Sequence, residues 1–240
     1  VRLFIERGQA NRHDYHPSAS ELSLIGELCR HLDGLPLAIE LAASRLPVMS
    51  VKEIYSRLED RFQLLSNTHR SLEPRHQKIL TALEWTYQLL NTREQRLFCS
   101  LGIYTDMFSV KSVSDLLLIK DKHRWQVVDD LQRLLALSLI QVSTQVPETR
   151  FRLLETMRQF ACDKLRQQGE YTVLEARFAG YYKVLVEEAQ GDWFMLPTGQ
   201  WRERYSHMLN DLRSVLQQTL TEGADPSKGL KILQAMTPFW

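Results

Sequence analysis

Apolar side chains recur at helical spacing along most of the chain, and this periodicity limits the fold to a mainly α-helical one. After Ser18, for example, Leu22, Ile25, Leu28 and Leu32 fall on one side of a helix. Glycine is scarce, with 10 residues among 240, against about 7% in average proteins. This scarcity argues against a sheet-rich enzyme with many tight phosphate-binding turns.

Helix boundaries are marked by local signals in the first third of the chain. Ser18 with Glu21, and Ser50 with Glu53, match the capping box that opens a helix. Asp33-Gly34 predicts a stop, because glycine adopts the left-handed conformation at low steric cost. Pro36 then fits the first turn of a helix that we expect to run to about Leu46.

The period changes from 3.6 to 2 in one stretch. Ile140–Ser143 and Phe151–Leu153 alternate, and a turn-forming segment at Pro147–Thr149 separates them, so the pattern predicts a short β-hairpin. Helices that start near Thr92, Ser109 and Arg124 precede it. Thr92 and Gln95 are expected to cap the first of them, and Val128 is expected on the apolar side of the third. Three helices followed by a two-stranded ribbon predict a winged helix-turn-helix.

Composition shifts divide the chain into three predicted domains. Residues 1–68 are predicted to form a first helical domain, residues 69–168 the winged helix after a polar linker at Ser66–Pro74, and residues 169–240 the start of a second helical domain. Asp225-Pro226 predicts its last helix. The predicted architecture is therefore a helical bundle, a winged helix-turn-helix with a short β-hairpin, and an antiparallel helical segment of superhelical, TPR-like type.

Charge and cysteine content restrict the partners and the cellular compartment that we expect for the protein. The net charge of +1 provides no overall field toward nucleic acid or an anionic membrane. The three cysteines lie far apart, which is typical of reduced, buried thiols in a cytoplasmic protein. No apolar run is long enough to span a bilayer. Because the chain begins and ends within helical patterns and shows no signal peptide, we expect it to be a piece of a longer protein.

No catalytic or metal-binding signature stands out. His13 and His16 are three residues apart, but Asn11, Asp14 and Pro17 indicate a loop there, and no cysteine cluster joins them. The glycine-rich loop that cradles nucleotide phosphates is missing from this sequence. We therefore expect no metal, no catalytic residues and no enzyme activity from this chain alone.

Charges in the predicted winged helix weigh against DNA binding. Residues 94–138 contain six basic and six acidic side chains, whereas affinity for DNA depends on several Lys or Arg contacts to phosphate. Asp129-Asp130 on the predicted groove-entering helix would repel phosphate. Arg150 and Arg152 in the wing keep a DNA-binding regulator open as an alternative. A helical adaptor for protein partners, based on the aromatic-rich segment 170–240, is a further alternative.

The segment LDGLPLAIELAA (Leu32–Ala43) carries the sharpest local signal. It predicts a tight corner between two helices, where Pro36 presents a flat apolar ring edge that could lie against an adenine face. The segment strongly resembles the GLPLA motif of the NB-ARC family of STAND-class ATPases, most of all its bacterial transcriptional regulators.

Further segments resemble the same family in the expected order, so the resemblance covers nearly the whole chain. VRLFIER looks like the helix that opens the first helical domain, and PRHQ with WTYQLL looks like the entry into the winged helix. RLF and FRLLETMRQFA resemble later parts of that domain, and NDLR is similar to an NLR element beyond it, with Asp211 as a mismatch. These segments begin at Val1, Pro74, Trp85, Arg96, Phe151 and Asn210.

The resemblance implies the regulatory arm of a nucleotide-dependent switch. In this family an upstream P-loop domain binds ADP or ATP with Mg, and the arm closes over it and opens on activation, often toward oligomers. The resemblance places Gly34, Leu35 and Pro36 at the nucleotide, with Pro36 beside the adenine. It also places Leu154 and Glu155 at the M-H-D motif. Leu154 replaces the histidine that reads the ADP phosphate, and a leucine cannot donate a hydrogen bond to phosphate.

Overall fold

The fold is mainly helical with one small antiparallel sheet, as the computed structural model shows for residues 1–12, 14–65, 74–143, 149–219 and 233. This confirms the predicted fold class. The helices are α1 (Arg2–Asn11), α2 (Ala19–His31), α3 (Pro36–Ala43), α4 (Val51–Leu65), α5 (Pro74–Gln88), α6 (Thr92–Leu101), α7 (Val110–Leu116), α8 (Arg124–Ala136), α9 (Glu155–Gln167), α10 (Tyr171–Trp193), α11 (Thr198–Tyr205) and α12 (Leu209–Thr219). The strands are β1 (Met107–Phe108), β2 (Gln141–Ser143) and β3 (Arg150–Arg152).

The chain divides into two compact units. Unit 1 comprises Val1–Arg96 and Asp130–Ile140, and unit 2 comprises Leu97–Asp129 and Gln141–Trp240. The division falls within α6 and within α8. The three domains inferred from the sequence, at 1–68, 69–168 and 169–240, stay a prediction.

Unit 1 is a helical bundle in which α3 is buried on most of its surface. The core of this unit is mainly aliphatic with some aromatic side chains, and several members are almost fully shielded from solvent: Phe4, Ile25, Leu28, Leu41, Ile54 and Leu83. Both predicted capping boxes form. The backbone N–H groups of Ser18 and Ser50 donate to Glu21 and Glu53 at 2.9 and 2.8 Å. These caps satisfy donors that the first turns of α2 and α4 would otherwise leave free.

Unit 2 contains the sheet, in the strand order β1-β3-β2 with both pairings antiparallel. The predicted hairpin is confirmed by the pairing of Val142 with Phe151. Strand β1 was not predicted, because two residues are too few to show a period. It brings Phe108 opposite Phe151, with ring centroids 6.1 Å apart. The order helix, strand, two helices, hairpin is that of a winged helix.

Three local expectations need correction. Helix α3 ends at Ala43 and not near Leu46, because the chain from Ser44 onward forms turns. The cap of α6 is Asn91 and not Thr92, since the Asn91 side chain accepts from the backbone N–H of Glu94 at 3.0 Å. Val128 was assigned to the apolar side of α8, but it is 46% exposed.

The remaining sequence expectations fall into two groups, those that concern described residues and those that concern residues outside the described ranges. Cys29, Cys99 and Cys162 are buried and form no disulfide bond, as predicted. Of the linker expected at Ser66–Pro74, residues 66–73 lie outside the described residues, whereas Pro74 begins α5. His13, residues 147 and 148 of the expected turn at Pro147–Thr149, and the start of the helix expected after Asp225-Pro226 also lie outside the described residues. Among the helices of the described ranges, none has the length and apolar character needed to cross a bilayer.

Candidate functional site

The predicted corner between α2 and α3 forms, and its backbone needs two left-handed residues in succession. Asp33 has φ +52° and Gly34 has φ +68°. The N–H of Gly34 donates to the carbonyl of Cys29 at 2.9 Å, and that of Leu35 donates to Leu32 at 2.9 Å. Glycine tolerates this conformation without a Cβ penalty, and aspartate tolerates it better than most residues. The Asp-Gly pair therefore ends α2 and reverses the chain.

Pro36 occupies the first position of α3, where a missing N–H costs no hydrogen bond. Leu35 before it is extended, with φ −65° and ψ 115°, as a residue preceding proline prefers. Leu32 is fully buried on one side of the corner. Gly34 and Pro36 are exposed, and Leu35 is half-buried. The corner thus holds an apolar edge rigidly toward solvent.

This edge can contact an aromatic base but has little means to hold a phosphate. The side chains of Gly34, Leu35 and Pro36 carry no charge and no hydrogen-bond donor. A proline ring can lie flat against a purine. The corner therefore offers an apolar contact surface, and its three side chains provide no group that could bind a phosphate.

The two other predicted site residues lie in unit 2, at the start of α9. Leu154 is the N-cap and is half-buried, and no side chain caps the helix there. Glu155 is exposed, and its carboxylate accepts from Arg158 at 2.8 and 2.9 Å and from Gln159 at 2.9 Å. The Arg158 hydrogen bond is the main cause that lowers the pKa of Glu155. Any contact of Glu155 with another domain would compete with these local bonds.

Unit 1 also contains a cleft of about 280 Å³. Its walls include Tyr15, Arg12 and Met49, and none of the five predicted site residues lines it. Tyr15 is 6% exposed, and its hydroxyl has no hydrogen-bond partner among the described residues. The motifs therefore did not point to this cleft.

The charges that argued against DNA binding are arranged differently from the expectation. Asp130 is buried, and the guanidinium of Arg93 donates to both of its carboxylate oxygens at 2.7 and 2.8 Å. It therefore does not face solvent as a repelling charge. In the part of α8 that belongs to unit 2, the exposed side chains include Trp125 at 59% and Val128 at 46%, with Asp129 beside them. This stretch offers apolar and acidic groups rather than phosphate ligands.

Two buried ionic groups were missed by the sequence interpretation. Arg45 is 1% exposed and Asp211 is 0% exposed. Arg45 is a single charge in a mainly apolar run, which is a weak sequence signal for burial, whereas Asp211 lies between Asn210 and Arg213, where the sequence gives no such signal.

The chain is similar over its whole length to mycobacterial proteins named "Putative HTH-type transcriptional regulator". The relatives in Mycobacterium tuberculosis (strain ATCC 25618 / H37Rv) and Mycobacterium bovis (strain ATCC BAA-935 / AF2122/97) are each 32% identical over 244 aligned residues, covering 100% of this chain and 27% of the relative. An "Uncharacterized protein" of the same Mycobacterium tuberculosis strain is 30% identical over 184 residues, covering 76% of this chain and 47% of its own length. The chain thus spans about a quarter of the regulator relatives' length. No protein-family model and no solved structure matches it.

Proposed function

We propose that this chain is the regulatory arm of a nucleotide-dependent STAND-type switch within a transcriptional regulator. The similarity to proteins named as HTH-type transcriptional regulators supports the regulatory role. The ordered motifs from Val1 to Arg213 support the assignment to a switch of this class. In this proposal the arm closes over an upstream P-loop domain that binds ADP or ATP with Mg, and it works in the cytoplasm. The arm itself has no enzyme activity, although the whole protein could hydrolyse ATP, and activation leads to self-association.

The observation that carries the proposal is the exposed Pro36 at a rigid corner. Its ring is held toward solvent by a turn whose backbone is fixed on both sides. A rigid apolar edge contributes binding energy without ordering cost when a ligand or domain meets it. Leu154 at the M-H-D position supports a variant of the switch in which α9 does not read the nucleotide phosphate.

The test measures ADP affinity in the full-length protein that carries this arm. Pro36→Ala removes most of the ring edge, and we expect ADP to bind about tenfold more weakly, which corresponds to about 1.4 kcal/mol. Pro47→Ala changes another exposed proline of unit 1 and serves as the matched control. Equal ADP affinity in both variants and the unaltered protein would remove Pro36 from the nucleotide site.

A DNA-binding winged helix is the second candidate, favoured by the sheet topology and by the name of the relatives. Arg152 in β3 is exposed and donates to Gln141 at 3.3 Å. In the unit 2 part of α8 the exposed side chains include Trp125, Val128 and Asp129, and Arg124 is paired with Asp115 and Asp121, which argues against a groove-reading role for that part. We therefore expect no gel shift of non-specific duplex DNA by the 240-residue chain, even at low salt. Binding that weakens steeply as salt rises would favour this candidate instead.

A further inference from the structure

Arg45 is a buried cation, and two nitrogens on one edge of its guanidinium lack a hydrogen-bond partner among the described residues. It follows α3 in unit 1 and is 1% exposed. Among the residues that the structure describes, neither Nε nor Nη2 has a hydrogen-bond partner. These two nitrogens form one edge of the planar guanidinium. That edge is the one that binds a carboxylate or phosphate through two parallel hydrogen bonds.

The described surroundings of Arg45 add positive charge and no compensating negative charge. Its guanidinium carbon lies 5.2 Å from the centre of the Trp85 ring. Burial and, to a smaller extent, the positive charge of Arg133 together lower the pKa of Arg45 to about 10. Arg45 therefore remains protonated at neutral pH. The hydroxyl of the neighbouring Ser44 donates to the carbonyl of Leu41 at 2.8 Å.

The cost of burying the Arg45 charge exceeds what its described contacts return, so a bound anion would stabilise the fold. Burying an ion without a partner costs several kcal/mol, and a desolvated cation–π contact returns about 2 kcal/mol. A second guanidinium nearby increases the cost by repulsion. Arg133 is exposed. The positive potential of Arg45 and Arg133 together therefore reaches the solvent near Arg133, where it can attract an anion.

We propose that the Nε–Nη2 edge of Arg45 is an oxyanion-binding site that takes a phosphate or carboxylate group through two parallel hydrogen bonds. Arg133 supplies the attracting charge at the surface, and the Trp85 ring holds the guanidinium plane. The site is separate from the Pro36 corner, and it does not depend on the proposed nucleotide switch.

The experiment uses the 240-residue chain with inorganic phosphate, acetate and chloride as probes at matched ionic strength. We expect phosphate, acetate or both to raise the midpoint of thermal unfolding above that in chloride, because an anion that binds only the folded state stabilises it. In a sample with labelled arginine, the Nε–H resonance of Arg45 should shift in the same titration. A response to phosphate alone indicates a phosphate-bearing ligand, and a response to acetate alone indicates a carboxylate.

Two variants test the assignment to Arg45. Arg45→Lys keeps the positive charge but lacks the planar edge that donates two parallel hydrogen bonds. We therefore expect anion affinity to fall at least tenfold. Arg30→Lys changes an exposed arginine of the same unit and should leave the affinity unchanged. If Arg45→Lys does not fold, Arg133→Gln should weaken anion binding without altering the core. Equal midpoints in all three anions, or an unaltered affinity in Arg45→Lys, would overturn the proposal.

Discussion

Among the described residues, Asp211 in unit 2 and Arg45 in unit 1 are both buried ionic groups, and they differ in how far their hydrogen-bonding atoms have partners. In unit 2, Asp211 is 0% exposed and accepts hydrogen bonds from three donors. In unit 1, Arg45 is 1% exposed, and one edge of its guanidinium has no partner among the described residues. A buried charge whose hydrogen bonds are all made can hold neighbouring elements together. A buried charge without a partner lowers the stability of the fold, and a bound counter-ion would offset that cost.

Asp211 joins three parts of unit 2. It lies in α12 and accepts from the backbone N–H and the hydroxyl of Thr105, each at 2.7 Å. The hydroxyl of Tyr182 in α10 donates to its other oxygen, also at 2.7 Å. These bonds fix the start of α12 against the turn after α6 and against α10. The residue that mismatched the family's NLR element is therefore a structural centre of this unit.

The largest expected effect is that of Asp211→Ala. This change removes the acceptor of all three hydrogen bonds and leaves a part-buried backbone N–H without a partner, so we expect the free energy of unfolding to fall by about 3 kcal/mol. Chemical denaturation measures the difference. Asn210→Ala, which removes an exposed bond to Asp106, is the control and should cost about 1 kcal/mol or less. Equal losses would mean that Asp211 is not the anchor of unit 2.

Arg45→Met should destabilise the fold much less than Asp211→Ala does. The substitution removes an unpaired buried charge and retains much of the apolar stem. Replacement of a buried ion by an apolar side chain of similar size is often neutral or stabilising, and the lost contact with Trp85 is worth about 1–2 kcal/mol. In chloride buffer we therefore expect the free energy of unfolding to stay unchanged or to rise, and not to fall by more than about 1 kcal/mol. A loss as large as that in Asp211→Ala would show that Arg45 already has a strong partner.

The features predicted from the sequence are those that neighbouring residues determine. The capping boxes at Ser18 and Ser50 and the Asp33-Gly34 corner form as expected, because each depends on contacts within four or five residues. The cap of α6 was misplaced by one residue, since both Asn91 and Thr92 are suitable capping residues. Local chemistry thus determined where helices begin and end.

The features that sequence reasoning missed depend on distant partners. Asp130 was interpreted as an exposed acid because nothing near it in the sequence shows that Arg93 binds it. Asp211 and its partner Thr105 are 106 residues apart. For Arg45 the only signal is one charged residue in an apolar run, which does not distinguish a buried side chain from one that reaches solvent.

The smallest expected effect is a difference in how the free energy of unfolding depends on pH between the unaltered chain and Asp211→Asn. Burial raises the pKa of Asp211 above its ordinary value of 3.8, although its hydrogen bonds oppose that shift. The folded state therefore holds the proton more tightly than the unfolded state does. The stability contributed in this way is fully present below pH 3.8 and is lost as the pH rises through the raised value. Asp211→Asn has no such proton. The free energy of unfolding of the unaltered chain minus that of Asp211→Asn should therefore increase as the pH is lowered from 7 toward 4. Denaturation of both proteins across this range measures it, and a difference that stays flat or grows with rising pH would show that burial does not control this carboxyl group.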